Sequence, residues 1–562
     1  MIRQTLWNVL KFVLDKVVLR MVAGSIRRNL TEFEAATHDP LAVQQAVLFD
    51  ILRYQLPTAF AKDHAFASMK TVEDFRRILP VRGYDAIDPY IQRVRKGETL
   101  ALLADPRVHM FAMTSGTTAT RKFIPVTDRY LENYKRSWNI WGLKVFVDHP
   151  HLKLRPILQM AGDPDEFRSE SGVPCGAVTG LTAQMQKRIV RLFYCIPAAM
   201  ARLKDPQAKY YAALRLSVPR EVSLMIAANP STMLNLARAG DTHKETLIRD
   251  IHDGTLSGFD YPLEFRAAIK SRLRADRAAA RRLEAIVHST GHLYPKDYWY
   301  RGFLLGNWTG GSVGAYLQHY PRYFGDNPVR DVGLIASEGR MTIPFADHSA
   351  SGVLDITSHY FEFIPESEAD SPNPTVLGAH ELVEGGRYFI LLTTAYGLYR
   401  YHIHDLVRCT GFHNKTPLIE FLSKGANFAN LTGEKISEYQ VTHSMAETLR
   451  EMNTSLGVYS LAPIWPERED DTPYYGLFVE PHDASVGAEV VKHLETKLRR
   501  MNIEYDAKRE SQRLAEIRLQ VVAPGFWSHW DAERLRRNGG ALEQYKHPCL
   551  IADLEFARRA RA

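Results

Sequence analysis

Residues 397–417 read GLYRYHIHDLVRCTGFHNKTP, and the interpretation of the whole chain starts from this stretch. Histidines at alternate positions lead to Asp405, a pattern typical of a strand that ends at the aspartate. An aspartate in that position can accept two hydrogen bonds from the paired hydroxyls of a ribose. Asp405 is therefore a candidate nucleotide-binding residue.

A second chemistry is open at the same residues. His402 and His404 lie two positions apart and face one side of a strand, with Asp405 adjacent and His413 nearby. Imidazole and carboxylate groups are ligands of zinc and other transition metals. A catalytic metal also needs a third convergent ligand, which the sequence does not supply. Histidines in strands also serve in packing or face solvent, so these alternatives stay open.

The segment TSGTTATRK at residues 114–122 follows an apolar run and places hydroxyl groups around a glycine. Backbone N–H groups and hydroxyls in such a turn can surround phosphate oxygens, while a lysine supplies positive charge. The segment is not a P-loop, because Arg121 stands where the second glycine would be. A Ser/Thr turn that caps a helix is the alternative. The candidate phosphate-binding residues are Ser115, Gly116, Thr117, Thr118 and Lys122.

Two further segments carry polar groups beside glycine. In GLIASEG, residues 333–339, Ser337 and Glu338 end an apolar run, and ligands of open α/β sheets bind at strand ends. Glu338 is a candidate Mg²⁺ ligand through its carboxylate, whereas Ser337 is equally suited to cap a helix. Upstream, Gly311 and Ser312 belong to a glycine turn that would let a flat base approach the backbone.

The C-terminal part supplies a hinge and a lysine. Residues 424–435, KGANFANLTGEK, are rich in Gly and Asn without periodicity, which indicates a hinge that begins at Lys424. Strand and helix patterns beyond it predict a small α+β domain. Lys546, in EQYKHP at residues 543–548, could be carried into a site on the larger domain, although a lone lysine is also an ordinary surface residue.

Composition is that of an ordinary globular protein. Of the 562 residues, 45% are hydrophobic and 24% are charged, which excludes disordered, collagen-like and disulfide-stapled proteins. A net charge of +7 falls short of a nucleic-acid-binding signature. Four scattered cysteines, without a C-x-x-C pair, favour a reducing, cytoplasmic location. We expect neither a signal peptide nor stable membrane insertion, and the amphipathic pattern in residues 1–22 fits a docked helix better than membrane adhesion.

Apolar runs bounded by glycine and proline alternate with helical patterns, which predicts an α/β fold. Such runs lie at residues 108–113, 156–160, 222–227 and 332–336. Alternating strands dominate residues 352–402. We therefore expect a large N-terminal domain, residues 1–424, and a small α+β C-terminal domain, residues 425–562.

These segments, in this order and over this length, resemble the auxin-responsive promoter family of acyl-acid amido synthetases, within the luciferase-like adenylate-forming superfamily. The resemblance is most specific from Gly397 to Glu438, where EKISE follows at the family spacing. It extends to YFEFIP at residues 360–365 and to EQYKHP, and we identify the chain as similar to a bacterial-type member. It implies a large domain of αβ layers plus a β-barrel, with a small C-terminal lid.

The resemblance also implies ATP, Mg²⁺ and two half-reactions. The carboxylate of an acyl acid attacks the α-phosphate of ATP to give acyl-AMP, and an amino acid then displaces AMP to form an amide. We expect a monomer with small-molecule partners and no nucleic acid. The implied roles are phosphate binding by residues 115–118 and Lys122, nucleotide binding by Ser337, adenine contact by Gly311 and Ser312, Mg²⁺ binding by Glu338, ribose binding by Asp405, a hinge at Lys424 and neutralisation of the reacting centre by Lys546.

In this family the acyl pocket lies between the helices after the phosphate loop and the strand that carries Glu338. Its apolar candidates favour an aromatic or alicyclic acid over a small polar acid. The candidate lining residues are Met160, Val178, Thr179, Trp308 and Val313.

Three positions depart from the family pattern. Ala119 replaces a glycine of the phosphate loop, Leu334 replaces a tyrosine beside the base, and His404 replaces the glycine before the aspartate. These departures make a non-catalytic sensor of nucleotides or acyl compounds an alternative. An acid–thiol ligase, which passes the acyl group from the same adenylate to coenzyme A, also stays open as an alternative function.

Overall fold

The computed structural model describes residues 19–114, 122–185, 188–310, 316–317, 319–368, 371, 373–424, 428–468, 471–538 and 547–561. Most of the amphipathic N-terminal stripe lies outside these residues. None of the helices in the described ranges combines the length and the apolar character that a bilayer span requires. The four cysteines form no disulfide.

Helices dominate the first three hundred residues. They are α1 (Leu19–Ala36), α2 (Pro40–Gln55), α3 (Ala59–Asp63), α4 (Val72–Ile78), α5 (Asp88–Arg95), α6 (Asp128–Asp148), α7 (Val178–Gln184), α8 (Arg188–Arg191), α9 (Pro206–Ser217), α10 (Pro230–Thr242), α11 (Lys244–Asp253), α12 (Leu263–Ile269), α13 (Arg277–Thr290), α14 (Pro295–Tyr298) and α15 (Tyr320–Phe324). The C-terminal helices are α16 (Glu438–Glu451), α17 (Ala484–Met501), α18 (Ile503–Glu510), α19 (Phe526–Asn538) and α20 (Phe556–Arg561).

The strands fall into an N-terminal, a central and a C-terminal group. The N-terminal strands are β1 (Val108–Thr114), β2 (Lys122–Thr127), β3 (Ile157–Gln159), β4 (Phe167–Arg168), β5 (Pro174–Gly176), β6 (Leu224–Ile226), β7 (Leu304–Gly306) and β8 (Val329–Arg330). The central strands are β9 (Ile335–Ala336), β10 (Gly339–Arg340), β11 (Thr342–Ile343), β12 (Ser351–Leu354), β13 (Tyr360–Pro365), β14 (Leu377–Gly378), β15 (Arg387–Thr393), β16 (Tyr401–His413) and β17 (Thr416–Lys424). The later strands are β18 (Phe428–Ala429), β19 (Ile436–Ser437), β20 (Ser460–Ile464), β21 (Tyr474–Val479) and β22 (Arg518–Val521).

Three larger sheets organise the part before residue 425. Strands β3, β6, β7 and β8 form a parallel sheet in the order β3-β6-β7-β8. A mixed sheet has the order β2-β1-β5-β4, and an antiparallel sheet of seven strands has the order β11-β12-β17-β16-β15-β13-β14. The α/β organisation predicted from the sequence is confirmed, as are the strand patterns at residues 108–113, 156–160, 222–227 and 352–402.

One predicted strand is wrong. Residues 332–336 do not form a buried strand of the parallel sheet, which in the described chain ends with β8. The segment instead leads into the hairpin β9–β10, and Leu334, Ile335 and Ala336 are half-buried. Their apolar side chains line a cavity, which explains why the sequence pattern resembles that of a core strand.

Six apolar clusters hold the described elements together, and the three largest are considered in turn. One joins α2–α5 to the seven-stranded sheet, and a second packs α9–α13 around the parallel sheet. A third lies between α16–α18 and the sheet β20-β21-β22, and contains the fully buried Leu494 and Tyr505. Burial of each large side chain contributes about 1.5–3 kcal/mol, so every core holds its surrounding elements in fixed positions.

Candidate functional site

A cavity of about 390 Å³ opens where the parallel sheet, the seven-stranded sheet and the C-terminal part of the chain meet. The apolar part of its lining comes from residues before 425, and we call this part the apolar end. Its apolar lining includes Met113, Met160, Val178, Ile226, Trp308, Val332, Leu334 and Ile335. Thr179 and Gln159 are polar side chains at this end.

Helix α6 supplies an aromatic wall. Tyr130, Tyr134 and Trp138 lie four residues apart, so they occupy one face of the helix and reach the cavity together. The guanidinium of Arg340 lies 4.5 Å from the centre of the Trp138 ring. Arg340 also donates to the backbone oxygen of Val332 at 2.6 Å, which fixes both the wall and the chain opposite it.

Asp331 fixes the position of Trp308. The Asp331 carboxylate accepts hydrogen bonds from Thr309, through its backbone N–H and its hydroxyl, at 2.6 and 2.7 Å. It also accepts from the backbone of Gly333 at 2.6 Å, while the indole of Trp308 donates to the Gly333 oxygen at 3.0 Å. Burial raises the pKa of Asp331 to about 6, although these hydrogen bonds oppose the shift.

Ser337 and Glu338 form the two-residue turn of the β9–β10 hairpin. Tyr130 donates to the backbone oxygen of Ser337 at 3.2 Å, and Tyr396 donates to that of Glu338 at 2.9 Å. The Ser337 hydroxyl donates to the Met113 oxygen at 3.2 Å, so Ser337 does not cap a helix. The turn is thereby held against β1, and Ser337 lines the cavity.

Lys122 and Glu338 are connected through Tyr401. The Lys122 ammonium donates to the Tyr401 hydroxyl at 3.0 Å, and that hydroxyl donates to the Glu338 carboxylate at 3.4 Å. The lysine and the glutamate are only 8% and 4% exposed. Burial raises the pKa of Tyr401 well above its ordinary value, and the nearby carboxylates add to this shift, so the phenol stays protonated.

Asp405 lies near the start of β16 (Tyr401–His413), so the prediction that the strand ends at the aspartate is wrong. Asp405 lines the cavity with only 2% of its surface exposed. Its backbone pairs with Lys424 at the end of β17, which fixes where the strand delivers the carboxylate. His404, directly before it, has a left-handed backbone (φ 62°), a conformation in which glycine would be unstrained. The departure from glycine therefore costs backbone strain beside the aspartate.

The metal hypothesis for the histidines finds no support in the described residues. The rings of His402 and His404 stack with their centres 4.1 Å apart. The His402 ring nitrogen Nδ1 accepts a hydrogen bond from the His404 backbone at 3.0 Å. Nowhere in the described ranges do three His, Cys, Asp or Glu side chains gather in a way that could hold a metal ion.

The C-terminal part of the chain contributes a charged part of the lining, which we call the charged end. Asn430, Gly433, Lys435, Glu504 and Lys508 line it. The last two belong to α18, whereas the first three belong to the loop that precedes β19. The cavity therefore spans both parts of the chain, apolar at one end and charged at the other.

Glu434 gives this loop its shape. Its carboxylate accepts from the backbone of Leu431 and Thr432 at 2.6 and 2.7 Å and from the Tyr475 hydroxyl. The Asn502 amide donates to the backbone oxygens of Glu434 and Lys435, at 2.9 and 3.2 Å. The loop and α18 are thus held as one unit.

A hydrogen bond joins this unit to the N-terminal part. The Asn229 amide donates to the backbone oxygen of Thr432 at 2.5 Å. The same side chain caps α10 by accepting from the Ser231 backbone at 2.9 Å. The N-terminus of α10 therefore sets the position of the loop.

Lys435 stands between carboxylates of both parts. Burial alone would lower its pKa, but Glu504, Asp405 and Glu338 outweigh burial and raise the pKa above its ordinary value. Lys435 is therefore charged at neutral pH and stabilises this arrangement of three carboxylates.

The structure brings together many of the residues proposed from the sequence. Those that line the cavity are Ser337, Asp405, Met160, Val178, Thr179 and Trp308. Lys122 and Glu338 are not part of the lining; they are linked to each other through Tyr401, and Glu338 directly follows Ser337. Outside the described residues lie Ser115, Gly116, Thr117, Thr118, Ala119, Gly311, Ser312, Val313 and Lys546. Lys424 is described only as the last residue of β17.

Sequence reasoning missed the aromatic wall and the charged end. The four-residue spacing of Tyr130, Tyr134 and Trp138 was a usable signal, because it marks one helix face. Glu504 and Lys508 have the same spacing. That pattern alone resembles an ordinary surface ion pair, and only the fold shows that it faces a cavity.

Sequence models of three domains of one family match the chain in order. The GH3 family N-terminal domain matches residues 29–329, the GH3 family central domain residues 352–424, and the GH3 family C-terminal domain residues 439–555. The N-terminal match alone covers more than half of the chain.

Curated relatives and solved structures agree with these matches. Jasmonoyl–L-amino acid synthetase JAR4 of Nicotiana attenuata is 23% identical over 542 residues, with 92% of each chain covered. Indole-3-acetic acid-amido synthetase GH3.2 of Arabidopsis thaliana is 24% identical over 470 residues, covering 77% of this chain and 83% of the relative. The bacterial type expected from the sequence stays a prediction.

Among solved structures, the GH3.15 acyl acid amido synthetase has the same fold, with a TM-score of 0.63 and 20% identity over 94% of this chain and 95% of that chain. A 2-hydroxyisobutyryl-CoA ligase shares the fold at a TM-score of 0.51 and 13% identity, with 93% of both chains covered.

Proposed function

The chain belongs to the GH3 family, and from that premise we propose that it is an ATP-dependent acyl acid amido synthetase. It would adenylate an acyl acid and transfer the acyl group to an amino acid. The observation that carries this proposal is the cavity, which joins an apolar end to a charged end through Ser337 and Asp405. The names of its relatives, jasmonoyl–amino acid and indole-3-acetic acid-amido synthetases, agree with an acid and an amino acid as substrates.

The first half-reaction would take place at the middle of the cavity. A carboxylate oxygen of the acid attacks the α-phosphorus of ATP, the bond to the bridging oxygen breaks, and pyrophosphate leaves with that electron pair. Asp405 would accept hydrogen bonds from the ribose, and Lys122 would supply positive charge to the phosphates. Tyr401, which links Lys122 to Glu338, would hold the two side chains in fixed positions relative to each other.

Glu338 is suited to bind Mg²⁺, because this ion needs only one or two protein carboxylates when it also binds substrate phosphates. Glu338 offers one oriented carboxylate. The ion would supply further positive charge to the phosphates. Lys122, linked to Glu338 through Tyr401, and Lys435, whose pKa Glu338 helps to raise, would share that task.

The second half-reaction would use the charged end. The amine nitrogen of the acceptor attacks the acyl carbon of acyl-AMP, the carbon–nitrogen bond forms, and the bond to the phosphate oxygen breaks. AMP leaves with that electron pair, and the protons of the original ammonium pass to solvent. The acceptor must enter from the C-terminal side, because the apolar end holds the acyl group.

The remaining roles complete the proposal. Residues 115–118 would wrap phosphate oxygens, and Gly311 and Ser312 would lie beside the adenine. Ser337, whose turn meets β1, would add a hydroxyl to the nucleotide site. Lys546 would neutralise the reacting centre during adenylation, and the part beyond residue 424 would move about a hinge at Lys424 as a separate lid domain.

The apolar end favours a bulky acid. Tyr134, Trp138 and Trp308 offer ring faces, and Met160 and Val178 offer aliphatic surface, with Val313 as a further candidate at this end. An aromatic or alicyclic carboxylic acid would bury its ring there and leave its carboxylate at the middle of the cavity. We further propose a cytoplasmic monomer, consistent with its unlinked cysteines.

Two assays test the proposed function. Acid-dependent exchange of labelled pyrophosphate into ATP, across a panel of aromatic and alicyclic acids, reads the first half-reaction. Mass spectrometry of products with amino acids or coenzyme A as acceptor reads the second. Amide products are expected. Thioester products alone would establish the acid–thiol ligase instead, and absence of exchange over the whole panel would leave a non-catalytic sensor.

A further inference from the structure

Helix α18 presents two opposite charges to the cavity. Glu504 and Lys508 both line it, and their four-residue spacing places them one above the other on a single helix face. Both side chains are half-buried. They are separated in sequence by about a hundred residues from Asp405, the nucleotide-site carboxylate that lines the same cavity.

These two side chains are carried on a fixed support. Asn502 caps α18 by accepting from the Tyr505 backbone at 2.9 Å, and its amide holds the carbonyl groups of Glu434 and Lys435. The buried Tyr505 donates to the Glu495 carboxylate at 2.7 Å, which anchors α18 to α17. The spacing between the two charges is thus set by the fold.

The negative charge near Lys508 is too small to offset the effect of its burial. Its ammonium nitrogen lies so close to Gly433 that a Cβ on that glycine would be 3.3 Å away. Burial lowers the pKa of Lys508 to about 7, with Arg513 and Lys435 adding to the shift and the carboxylates of Glu504 and Glu434 opposing it. An anionic ligand would restore the charged form.

Glu504 has the opposite need, because one of its carboxylate oxygens lacks a hydrogen-bond donor within the described ranges. Its Oε2 atom is buried and has no hydrogen-bond partner among the residues that the structure describes. Because a buried carboxylate oxygen without a donor is costly, a cationic group of a ligand would stabilise it. One turn of helix therefore offers a place for a cation and a place for an anion.

Resting on the proposed function, we propose that Glu504 and Lys508 form the acceptor site and select a free amino acid in its zwitterionic form. Glu504 binds the ammonium group, and Lys508 binds the carboxylate. The acyl group occupies the apolar end, so the acceptor nitrogen lies between that end and α18. Simple amines and amino acid amides satisfy Glu504 alone, and are therefore poorer acceptors.

The test compares an amino acid with its own C-terminal amide, using the best acid found in the screen. In Lys508→Met we expect KM for the amino acid to rise about tenfold or more, the value of one charge-assisted hydrogen bond, and KM for the amide to stay within about twofold. In Glu504→Gln both KM values should rise. Lys492→Met and Glu510→Gln, which change exposed residues of α17 and α18, are the matched controls and should resemble the unmodified protein.

Two readouts separate this inference from the proposed function. Acid-dependent pyrophosphate exchange, and trapping of the acyl-AMP by hydroxylamine, measure adenylation without the amino acid, and both should match the unmodified protein in Lys492→Met and Glu510→Gln. If the unmodified protein shows no exchange at all, the proposed function fails. If exchange and trapping are normal but Lys508→Met discriminates between amino acid and amide as the unmodified protein does, the acceptor site is wrong.

Discussion

At the scale of single residues, the polar groups of the site differ in how they could be found. Asp405 and Glu338 follow apolar or alternating runs, so local sequence already marks them as residues at the ends of such runs. Lys435 and Lys508 carry no such mark. Their meaning depends on contacts with residues far away in the chain, and a lysine without that context is indistinguishable from a surface residue.

The lowered pKa of Lys508 leads to a prediction about pH. Below a pKa of about 7 the side chain is protonated and can bind the acceptor carboxylate, and above it this charge is lost. Lys508→Arg stays charged throughout. We therefore expect the ratio of kcat/KM for the amino acid, unmodified protein over Lys508→Arg, to fall as pH rises through 7.

The ratio is informative because titration of the acceptor's own ammonium affects both proteins alike. The charged groups that face Lys508 are Glu504, Glu434, Lys435 and Arg513, and none of them is altered in the variant. A ratio that stays flat between pH 6 and pH 8, set as about one unit on either side of the pKa, would show that Lys508 does not titrate in the free enzyme.

At the scale of elements, the hydrophobic patterns predicted most strands correctly. They wrongly predicted a buried strand at residues 332–336, which line the cavity. The strands β13, β15 and β21 alternate or are continuously apolar because one or both faces are buried. Residues 334–336 are equally apolar, but they line a cavity instead of the interior of a sheet. An apolar run indicates that its side chains are shielded from water. The sequence does not show whether other protein residues or a ligand shield them.

The β9–β10 hairpin gives a prediction about stability. Gly339 has φ 147°, and a Cβ there would lie 2.5 Å from the Tyr396 hydroxyl, the group that holds the Glu338 backbone. Gly339→Ala should therefore displace Tyr396 and lower the free energy of unfolding by about 1–3 kcal/mol. Urea denaturation measures this change.

Gly385→Ala is the control for the hairpin. Gly385 also has a positive φ, 82°, but a Cβ there would meet no atom within 4 Å. It therefore reports backbone strain without a clash. Equal losses in the two variants would contradict the role assigned to Tyr396, and pyrophosphate exchange should be weakened in Gly339→Ala alone, since only that variant moves Glu338.

At the scale of the whole molecule, the cavity is completed by parts of the chain that fold around different cores. Asn229 connects them, because it caps α10 and also donates to Thr432. Sequence reasoning predicted two domains and a connecting loop, but not this contact. A hydrogen bond between residues two hundred positions apart leaves no periodic pattern in the sequence.

Asn229→Ser separates these two roles. Serine keeps a capping hydroxyl but is too short to reach Thr432, so stability should be nearly unchanged. Amide formation should slow about five- to tenfold, the value of one hydrogen bond, while pyrophosphate exchange is kept. Asn229→Ala should lose about 1 kcal/mol of stability as well. If Asn229→Ser forms amide at the normal rate, the contact does not position the acceptor end.

The division of the cavity between an apolar wall from the first part of the chain and a charged wall from α18 has an evolutionary consequence. If each wall recognises one substrate, mutations in one wall can change the specificity for the acid and leave the specificity for the amino acid unchanged. Mutations in the other wall can do the opposite. Recombination near residue 424 would then exchange one preference and inherit the other intact. The number of different conjugates could then equal the number of accepted acids multiplied by the number of accepted amino acids.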